Sequence, residues 1–182
     1  MIRISNILLP VYEEILMEVR AGAVIYADET GWRVRGVLHW LWAFANRQNA
    51  FYWPDRSRGS PVVEKILGTY FDGTLVADGW CAYFKIYCAG MKQTCNSHLF
   101  RKIRTFRDTY PQYYSILKFY IKFKRIISDG QKIKSARVEL GEDKFDHRLN
   151  LLIKRLNDLL DWKNPNDILL KIIKKIRAQE NK

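Results

Sequence analysis

Short runs of apolar residues, each ending in a polar residue, mark two buried strands in the first half of the chain. Residues 23–28 form one such run, which ends in Asp28, and residues 74–78 repeat the form and end in Asp78. Apolar runs of this length without alternation are typical of strands that are covered on both faces. The pattern therefore predicts two buried strands whose last residue is an aspartate.

Three further strands and several short helices complete the elements predicted for this half. The predicted strands are residues 33–46, 50–54 and 91–95, the first of them bent, rich in aromatic side chains and entered through a turn at Gly31. The predicted helices are residues 10–20, with Pro10 in the first turn, a helix that begins at Ser60-Pro61, and residues 80–88.

From His98 onward the apolar residues follow the helical period. Helices are predicted at residues 98–109, 111–128, 143–161 and 165–180. The segment 113–127 is apolar almost all round, which predicts a helix that is buried on several sides and that ends at Ser128-Asp129-Gly130. Asn164-Pro165 is predicted to cap the last helix.

This order of elements predicts an α/β fold in which a mixed five-stranded sheet with flanking helices is followed by a helical C-terminal region. Three meandering strands followed by strand–helix units are the order of an RNase H-like core, although the order alone does not identify that fold. The predicted domains are residues 1–110, which hold the sheet, and residues 111–182, which are helical and basic.

The net charge of +12 is concentrated in the second half of the chain. Residues 1–100 hold 10 Lys and Arg against 9 Asp and Glu, whereas residues 101–182 hold 21 against 10. A basic half favours a polyanion such as nucleic acid as partner, and the alternative is a set of ordinary solvated helix faces. The absence of a long apolar run disfavours a membrane span, and an odd count of three cysteines favours a reducing cytoplasm.

Asp28 and Asp78 are the candidate catalytic and metal-binding residues. An unpaired carboxylate inside a buried strand is very costly, whereas a carboxylate at the end of a strand can point into a cleft. Two such strands side by side would bring two oxygen ligands to one edge, which suits Mg²⁺ or Mn²⁺ and the phosphoryl chemistry of two-metal sites. The alternative is that each aspartate only caps the turn after it.

Five motifs occur in order along the first half of the chain. They are Asp28-Glu29-Thr30-Gly31-Trp32-Arg33-Val34, Trp40-Leu41-Trp42-Ala43, Ser57-Arg58-Gly59, Leu75-Val76-Ala77-Asp78-Gly79-Trp80-Cys81-Ala82-Tyr83 and Cys95-Asn96-Ser97-His98-Leu99-Phe100-Arg101. As a series they resemble the transposases of the insertion sequence 66 family. The resemblance runs from about residue 10 to residue 110 and is diffuse over the helical tail.

The resemblance implies a fold, an activity and a set of partners. The fold would be RNase H-like with a helical insertion, and Asp28 and Asp78 would be the first two acids of an Asp-Asp-Glu site for Mg²⁺ or Mn²⁺. The activity would be metal-dependent cleavage at transposon ends followed by strand transfer. DNA would be the partner, at transposon ends and target alike, with a homo-oligomer left open.

No residue of this chain matches the third acid of that site. In the family it is a glutamate in an Asn-Asn-x-x-Glu motif, which does not occur here, and only 27 residues precede Asp28. The chain is therefore expected to be a core fragment truncated at both ends, in which Glu139, Glu142 or Glu180 is a weak substitute. The alternatives are an inactive remnant that binds DNA or a partner without chemistry, and a general RNase H-like nuclease.

Four basic residues are candidate DNA contacts. Arg56 and Arg58 lie in a polar loop before a helix N-terminus, and His98 and Arg101 lie one turn apart at a helix start. For each pair the alternative is structural, a solvated loop for the first and a helix cap for the second.

The remaining polar and aromatic residues favour structural roles. By strand alternation Glu29 should point away from Asp28, as a solvated or salt-bridging residue rather than a metal ligand. Trp40 and Trp42 share one face of a strand, which favours core packing over base stacking. A zinc site built from the three cysteines and His98 is disfavoured, because the chain lacks paired Cys-x-x-Cys ligands.

Overall fold

The computed structural model describes residues 4–88, 90–163 and 166–180, and its contacts divide the chain into two units, Met1–Cys95 and Asn96–Lys182. The first unit holds the sheet and the second is helical. This division precedes residue 110, because the helix that begins at Asn96 packs with the helices after it. The functional assignment of residues 1–110 and 111–182 remains a prediction.

A five-stranded mixed sheet forms the centre of the first unit, as the sequence predicts. Its strands are β1 (Val24–Val34), β2 (Val37–Ala45), β3 (Ala50–Asp55), β5 (Thr74–Ala77) and β7 (Lys92–Thr94), and their order across the sheet is β3-β2-β1-β5-β7. The first three strands form an antiparallel meander, and β5 and β7 run parallel to β1. The sheet is mixed because β5 and β7 enter it after crossover connections rather than hairpins.

The first hairpin turns at Arg35-Gly36, and the prediction of a turn at Gly31 is wrong. Gly31 lies inside β1, opposite Trp40 of β2. Arg35 and Gly36 both have positive φ, at 49° and 81°, which is the pattern of a type I′ turn. This turn matches the twist of the two strands, so β1 continues well beyond Asp28.

One face of the sheet carries the hydrophobic core of the first unit. The elements on this face are α1 (Ile4–Arg20), α2 (Ser60–Leu67) and a 3₁₀ helix (Cys81–Lys85). The sheet contributes the buried side chains of Ile25, Ala27, Trp42, Phe44, Phe51, Leu75 and Ala77. The Tyr12 hydroxyl of α1 donates to the Tyr52 carbonyl at 2.6 Å, and Arg20 at the end of α1 donates to the Ile66 and Lys65 carbonyls of α2.

Two predicted elements of this unit have different bounds in the structure. Helix α1 begins by Ile4, so Pro10 lies inside it; the residues before Pro10 are apolar and contain no helix stop signal. The segment predicted as one helix at 80–88 divides into the 3₁₀ helix and strand β6 (Tyr87–Cys88). Strand β6 pairs in parallel with β4 (Tyr70–Phe71), where the Tyr70 and Tyr87 rings stack at 5.7 Å.

The second unit contains helices and no strand among its described residues. They are α3 (Asn96–Thr109), α4 (Tyr114–Ser135), α5 (Arg137–Leu140), α6 (Glu142–Leu160) and α7 (Asp167–Glu180). Apolar stripes of α3, α4, α6 and α7 form its core, with Trp162 packed against it between the last two helices. None of the helices in the described part of the chain has the length and apolarity of a membrane span.

Helix α4 corrects two expectations. It runs through Gly130 to Ser135 instead of stopping at Ser128-Asp129-Gly130, because this glycine faces α6: a Cβ at Gly130 would lie 3.1 Å from Leu152. Its burial is confined to a stripe that contains Ile116, Phe119, Phe123 and Ile126, whereas Leu117 and Ile121 are exposed. The many aromatic residues of this helix therefore predicted more burial than the structure has.

The start of α7 lies next to residues that the structure does not describe. The predicted cap, Asn164-Pro165, falls outside the described residues. Within them, the Asn166 side-chain oxygen accepts from the backbone N–H groups of Ile168 and Leu169, at 2.9 and 3.2 Å. Asn166 therefore satisfies two N–H groups at the N-terminus of α7, as an N-cap does.

We predict that Gly73→Ala destabilises the first unit. A Cβ at Gly73 would lie 2.8 Å from the Ala23 carbonyl oxygen and 2.7 Å from the Phe71 ring, and the backbone oxygen cannot move without disturbing the entry to β5. Overpacking of this kind costs about 1–3 kcal/mol. Urea denaturation measures the loss; Gly31→Ala, whose Cβ meets nothing closer than 3.4 Å, is the control. Equal stability of the two variants would contradict the prediction.

Candidate active site on β1 and β5

Asp28 and Asp78 occupy corresponding positions after the parallel pairing of β1 and β5. The pairing joins Val24 to Thr74 and Tyr26 to Val76, and each aspartate follows the last of these pairs by two residues. Neighbouring strands lie about 4.8 Å apart. By alternation along β1, Asp28 points to the face opposite the core, as Tyr26 does.

The two aspartates lie at different points along their strands. Asp78 directly follows the last residue of β5, as predicted, but Asp28 lies in the middle of β1, opposite Ala43 of β2. On its other side β1 pairs with β5 only from Val24 to Tyr26. Asp28 therefore lies just beyond the part of β1 that pairs with β5. On that side its backbone has no neighbouring strand among the described residues, as at the end of a strand.

Each carboxylate is held by a nearby backbone N–H group. The Glu29 N–H donates to Asp28 Oδ1 at 3.0 Å, and the Trp80 N–H donates to Asp78 Oδ1 at 2.8 Å. Asp28 is exposed and Asp78 is partly exposed. Both groups are therefore oriented by the backbone and accessible to solvent.

Glu29 points the other way, into the core face, and its side chain is only 1% exposed. Arg58 donates to Glu29 Oε1 through Nε at 3.0 Å and approaches the same oxygen through Nη2 at 2.9 Å. The Tyr83 hydroxyl donates to Glu29 Oε2 at 2.5 Å. Both oxygens of the buried carboxylate are thus hydrogen-bonded, which offsets the cost of taking a charge out of water.

Arg58 connects this buried group to the loop that carries Asp78. Its guanidinium carbon lies 4.4 Å from the Trp40 ring centroid and 4.2 Å from that of Trp80, within the range of cation–π attraction. The Trp80 indole N–H in turn donates to the Arg58 carbonyl at 3.1 Å. Arg58 is therefore fixed by an ion pair and by two aromatic rings.

The buried hydroxyl of Tyr83 is electrostatically linked to all three acids. Burial raises the pKa of Tyr83 far above its usual value, and the hydrogen bond and charge of Glu29 and the charges of Asp78 and Asp28 raise it further. The phenol is therefore a permanent donor to Glu29. Its ring packs edge-on against Trp42 with centroids 6.0 Å apart, and the Trp42 indole donates to the Ser57 carbonyl at 3.1 Å.

The sequence profile described as Transposase IS66 family matches residues 1–182. The chain belongs to the IS66 family of transposases. No curated protein and no solved structure matches it.

Family membership confirms the resemblance carried by the five motifs, and the structure places most of those motifs together. In this IS66 family chain the motifs at Asp28, Trp40, Arg58 and Asp78 meet in one set of contacts, hereafter the Glu29 network: Glu29, Trp40, Arg58, Trp80 and Tyr83. Four of the five motifs therefore meet in space around Glu29, on the side of β1 that faces the core.

The sequence did not reveal how deeply the Glu29 side chain is buried or which residues bind it. Alternation along β1 did set Glu29 on the same face as the buried Ala27 and Ile25, and its salt-bridging role is confirmed. An acid on a core face requires a cation nearby, so the signal for a partner was present. Nothing in the spacing named Arg58 or Tyr83, which lie 29 and 54 residues away.

The four predicted DNA contacts lie in different surroundings. Arg56 is exposed, whereas Arg58 is 36% exposed and engaged with Glu29. His98 and Arg101 lie on α3 in the second unit, His98 partly buried and Arg101 exposed. A DNA contact by any of them remains a prediction.

The donor set at the two aspartates fits a hard divalent cation. Two carboxylates are a normal protein contribution to a Mg²⁺ site, which takes its other ligands from waters and substrate phosphates. Among residues 4–88, 90–163 and 166–180, no group of three or more His, Cys, Asp or Glu lies close enough to hold a metal ion. Glu139 and Glu142 belong to the second unit, and the side chain of Glu180 is outside the described part of the chain.

We predict that Arg58→Ala destabilises the first unit by about 2–4 kcal/mol, a little below the range for a fully buried pair because Arg58 is partly exposed. The substitution leaves the Glu29 carboxylate buried without its cation. Urea denaturation measures the effect, and Arg56→Ala, which removes an exposed arginine from the same loop, is the matched control and should change stability by less than about 0.5 kcal/mol. Equal effects of the two variants would show that the ion pair contributes little.

We predict that Tyr83 makes the protein less stable at alkaline pH. Its pKa is raised in the folded protein, so its stabilising contribution is complete below about pH 10, where a free tyrosine ionises, and declines as the pH rises further. Tyr83→Phe removes the hydrogen bond to Glu29 and should be less stable than the natural protein at neutral pH, with a difference that narrows above pH 10. Denaturation curves from neutral to alkaline pH measure this; a constant difference would refute it.

Proposed function

We propose that this chain carries the metal-dependent DNA cleavage and strand-transfer chemistry of a transposase on an RNase H-like sheet. The observation that supports it most is the parallel pairing of β1 and β5 within the β3-β2-β1-β5-β7 sheet, with Asp28 and Asp78 at corresponding positions two residues after the last pair. Two carboxylates at such positions, in a family of transposases, are the expected beginning of a site for phosphoryl transfer.

Asp28 and Asp78 would hold the metal, which we take to be Mg²⁺ or Mn²⁺ because the ligands are carboxylate oxygens. A bound divalent cation would supply an activated water or 3′-hydroxyl and would neutralise charge on the phosphate that is attacked. The backbone N–H groups of Glu29 and Trp80 orient the two carboxylates. The Glu29 network then fixes the strand and the loop to which these N–H groups belong.

DNA is the proposed substrate, and the charge of the second unit supports it. Helix α4 carries six basic residues and a single acid, Asp129. The basic residues, all exposed, are Lys118, Lys122, Lys124, Arg125, Lys132 and Lys134. Such a concentration of positive charge favours binding to the phosphate backbone without sequence preference.

A second candidate function is DNA binding without chemistry. It is favoured by a specific observation: within the described residues no third acid joins Asp28 and Asp78. Both functions involve DNA binding by the basic helices. They differ in whether the pair of carboxylates is enough to hold a metal and cleave DNA.

The test is nicking of supercoiled plasmid in Mn²⁺. We expect nicking that Asp28→Asn and Asp78→Asn each reduce by more than about 100-fold, since even residues that only orient metal ligands typically contribute about 10–100-fold. Asp72→Asn, which removes an exposed acid of the same unit, is the control and should nick like the natural protein.

The outcomes separate the two candidate functions. Nicking that survives both substitutions would show a contaminating nuclease or a different site and would overturn the proposal. No nicking, together with DNA binding that weakens as salt rises, would establish the second function. Absence of both nicking and salt-sensitive binding would reject both.

A further inference from the structure

The end of the first hairpin projects from the sheet as a two-stranded ribbon. Residues 32–39, here called the ribbon, pair only with one another, as Trp32 with His39 and Val34 with Val37. On its flanks, β3 pairs with β2 only from Trp40 onward and β5 pairs with β1 only as far as Tyr26. The ribbon is thus held by one ladder of hydrogen bonds.

The surface of the ribbon is apolar although nothing in the described chain covers it. All residues from Thr30 to Leu38 are exposed. Four large apolar side chains are about half exposed: Trp32 at 55%, Val34 at 47%, Val37 at 51% and Leu38 at 46%. Trp32, Val34 and Val37 share one face of the ribbon, and Leu38 lies on the other. Exposed apolar side chains grouped on a narrow projection are typical of an interaction site.

The charge of the ribbon points to an anionic partner. Arg33 and Arg35 lie at its tip, and the sequence contains no Asp or Glu between Thr30 and Pro54. The Arg33 guanidinium donates to the Gly36 carbonyl at 3.0 Å across the turn. Two ribbons packed against each other would bring four arginines together without an acid to neutralise them, which disfavours a second copy as the occupant.

Arg35 occupies a backbone position that arginine rarely takes. Its φ of 49° lies in the left-handed region, where Asn, Asp and Gly are the usual residues of such a turn. A side chain held there at a cost in strain is a sign of function. The turn sets this arginine at the outermost point of the ribbon.

The ribbon shares a strand with Asp28, and Trp32 shares its face. Trp32 follows Asp28 by four residues, so its side chain points to the same face of β1. The tip at Val34 lies about 20 Å from Asp28, at about 3.3 Å per residue. A phosphate held at the aspartates would therefore place the neighbouring duplex within reach of the ribbon.

We propose that the ribbon binds duplex DNA beside the phosphate held at Asp28 and Asp78, with Arg33 and Arg35 on backbone phosphates and Trp32 against base edges in the groove. This inference rests on the proposed function, since it takes DNA to be the substrate. A two-stranded ribbon has the width that the DNA major groove admits. The ribbon then contacts the DNA from the unit that holds the acids, in addition to the basic helices.

The test is binding of the full chain to a fluorescein-labelled duplex of unrelated sequence, measured by anisotropy over a series of salt concentrations. Each phosphate contact removed should lower the slope of log K against log salt by about one. We expect that decrease for Arg33→Ala and for Arg35→Ala. Arg47→Ala is the matched control, because Arg47 is exposed in the turn at the opposite end of β2, and its slope should not change.

The aromatic contact is tested at one salt concentration. Trp32→Ala should weaken binding about 10-fold, because the apolar area that the indole buries against base edges is lost, and Trp32→Phe should retain most of the affinity. Because the ribbon is exposed, these variants should unfold at the same urea concentration as the natural protein, which shows that a loss of binding is not a loss of folding.

The outcomes separate this inference from the proposed function. If the natural chain and its Asp28→Asn variant bind DNA with a normal salt slope and the ribbon variants do the same, the ribbon is not a DNA contact and the proposed function stands. If the natural chain binds no DNA, both fall. If the ribbon variants change the sedimentation behaviour but not DNA binding, a second copy is the occupant and the inference is overturned.

Discussion

The buried carboxylate of Glu29 is the group on which the arrangement of the first unit depends. A charge that is only 1% exposed must be neutralised and hydrogen-bonded, and it is satisfied here by Arg58 and Tyr83 from two separate segments. The loop after β3 and the 3₁₀ helix after β5 must therefore close over the same point of β1. The two segments are fixed in space by this requirement as much as by the packing of apolar side chains.

Successive side chains of β1 alternate in direction, so that one strand contributes residues to both faces of the sheet. Asp28 points to the exposed face and Glu29 to the core face, and the N–H group of Glu29 donates to Asp28 Oδ1. On the neighbouring strand the Trp80 N–H holds Asp78, and the Trp80 ring covers Arg58, which binds Glu29. A displacement of either aspartate would thus strain contacts of the buried acid, so the spacing of the two carboxylates is coupled to a fully satisfied polar group.

The sequence predicts the sheet because its signals are local, and it fails where the deciding contact is distant. The apolar runs at 23–28 and 74–78 identify β1 and β5, and their final aspartates identify the candidate site. The turn was misplaced because Gly31 looked like a stop, while the true turn contains Arg35, a residue with no turn preference. Gly130 failed as a helix stop for a related reason: its role is to let α6 approach, and that contact is invisible in the sequence around it.

The Glu29 network also shows why a polar group is retained in a core that could be filled with apolar residues. Replacing a buried ion pair by apolar side chains of similar volume often leaves a protein as stable or makes it more stable. Stability alone therefore does not explain an acid, an arginine and a tyrosine at this position. Apolar contacts are non-directional, whereas the bonds from Arg58 and Tyr83 fix the direction of the Glu29 side chain and with it the path of β1 beside Asp28. Directional bonds are what the proposed metal site would require, because the ligands of such a site must be held in a set geometry. The network is best understood as a device for orientation, built at the cost of a desolvated charge.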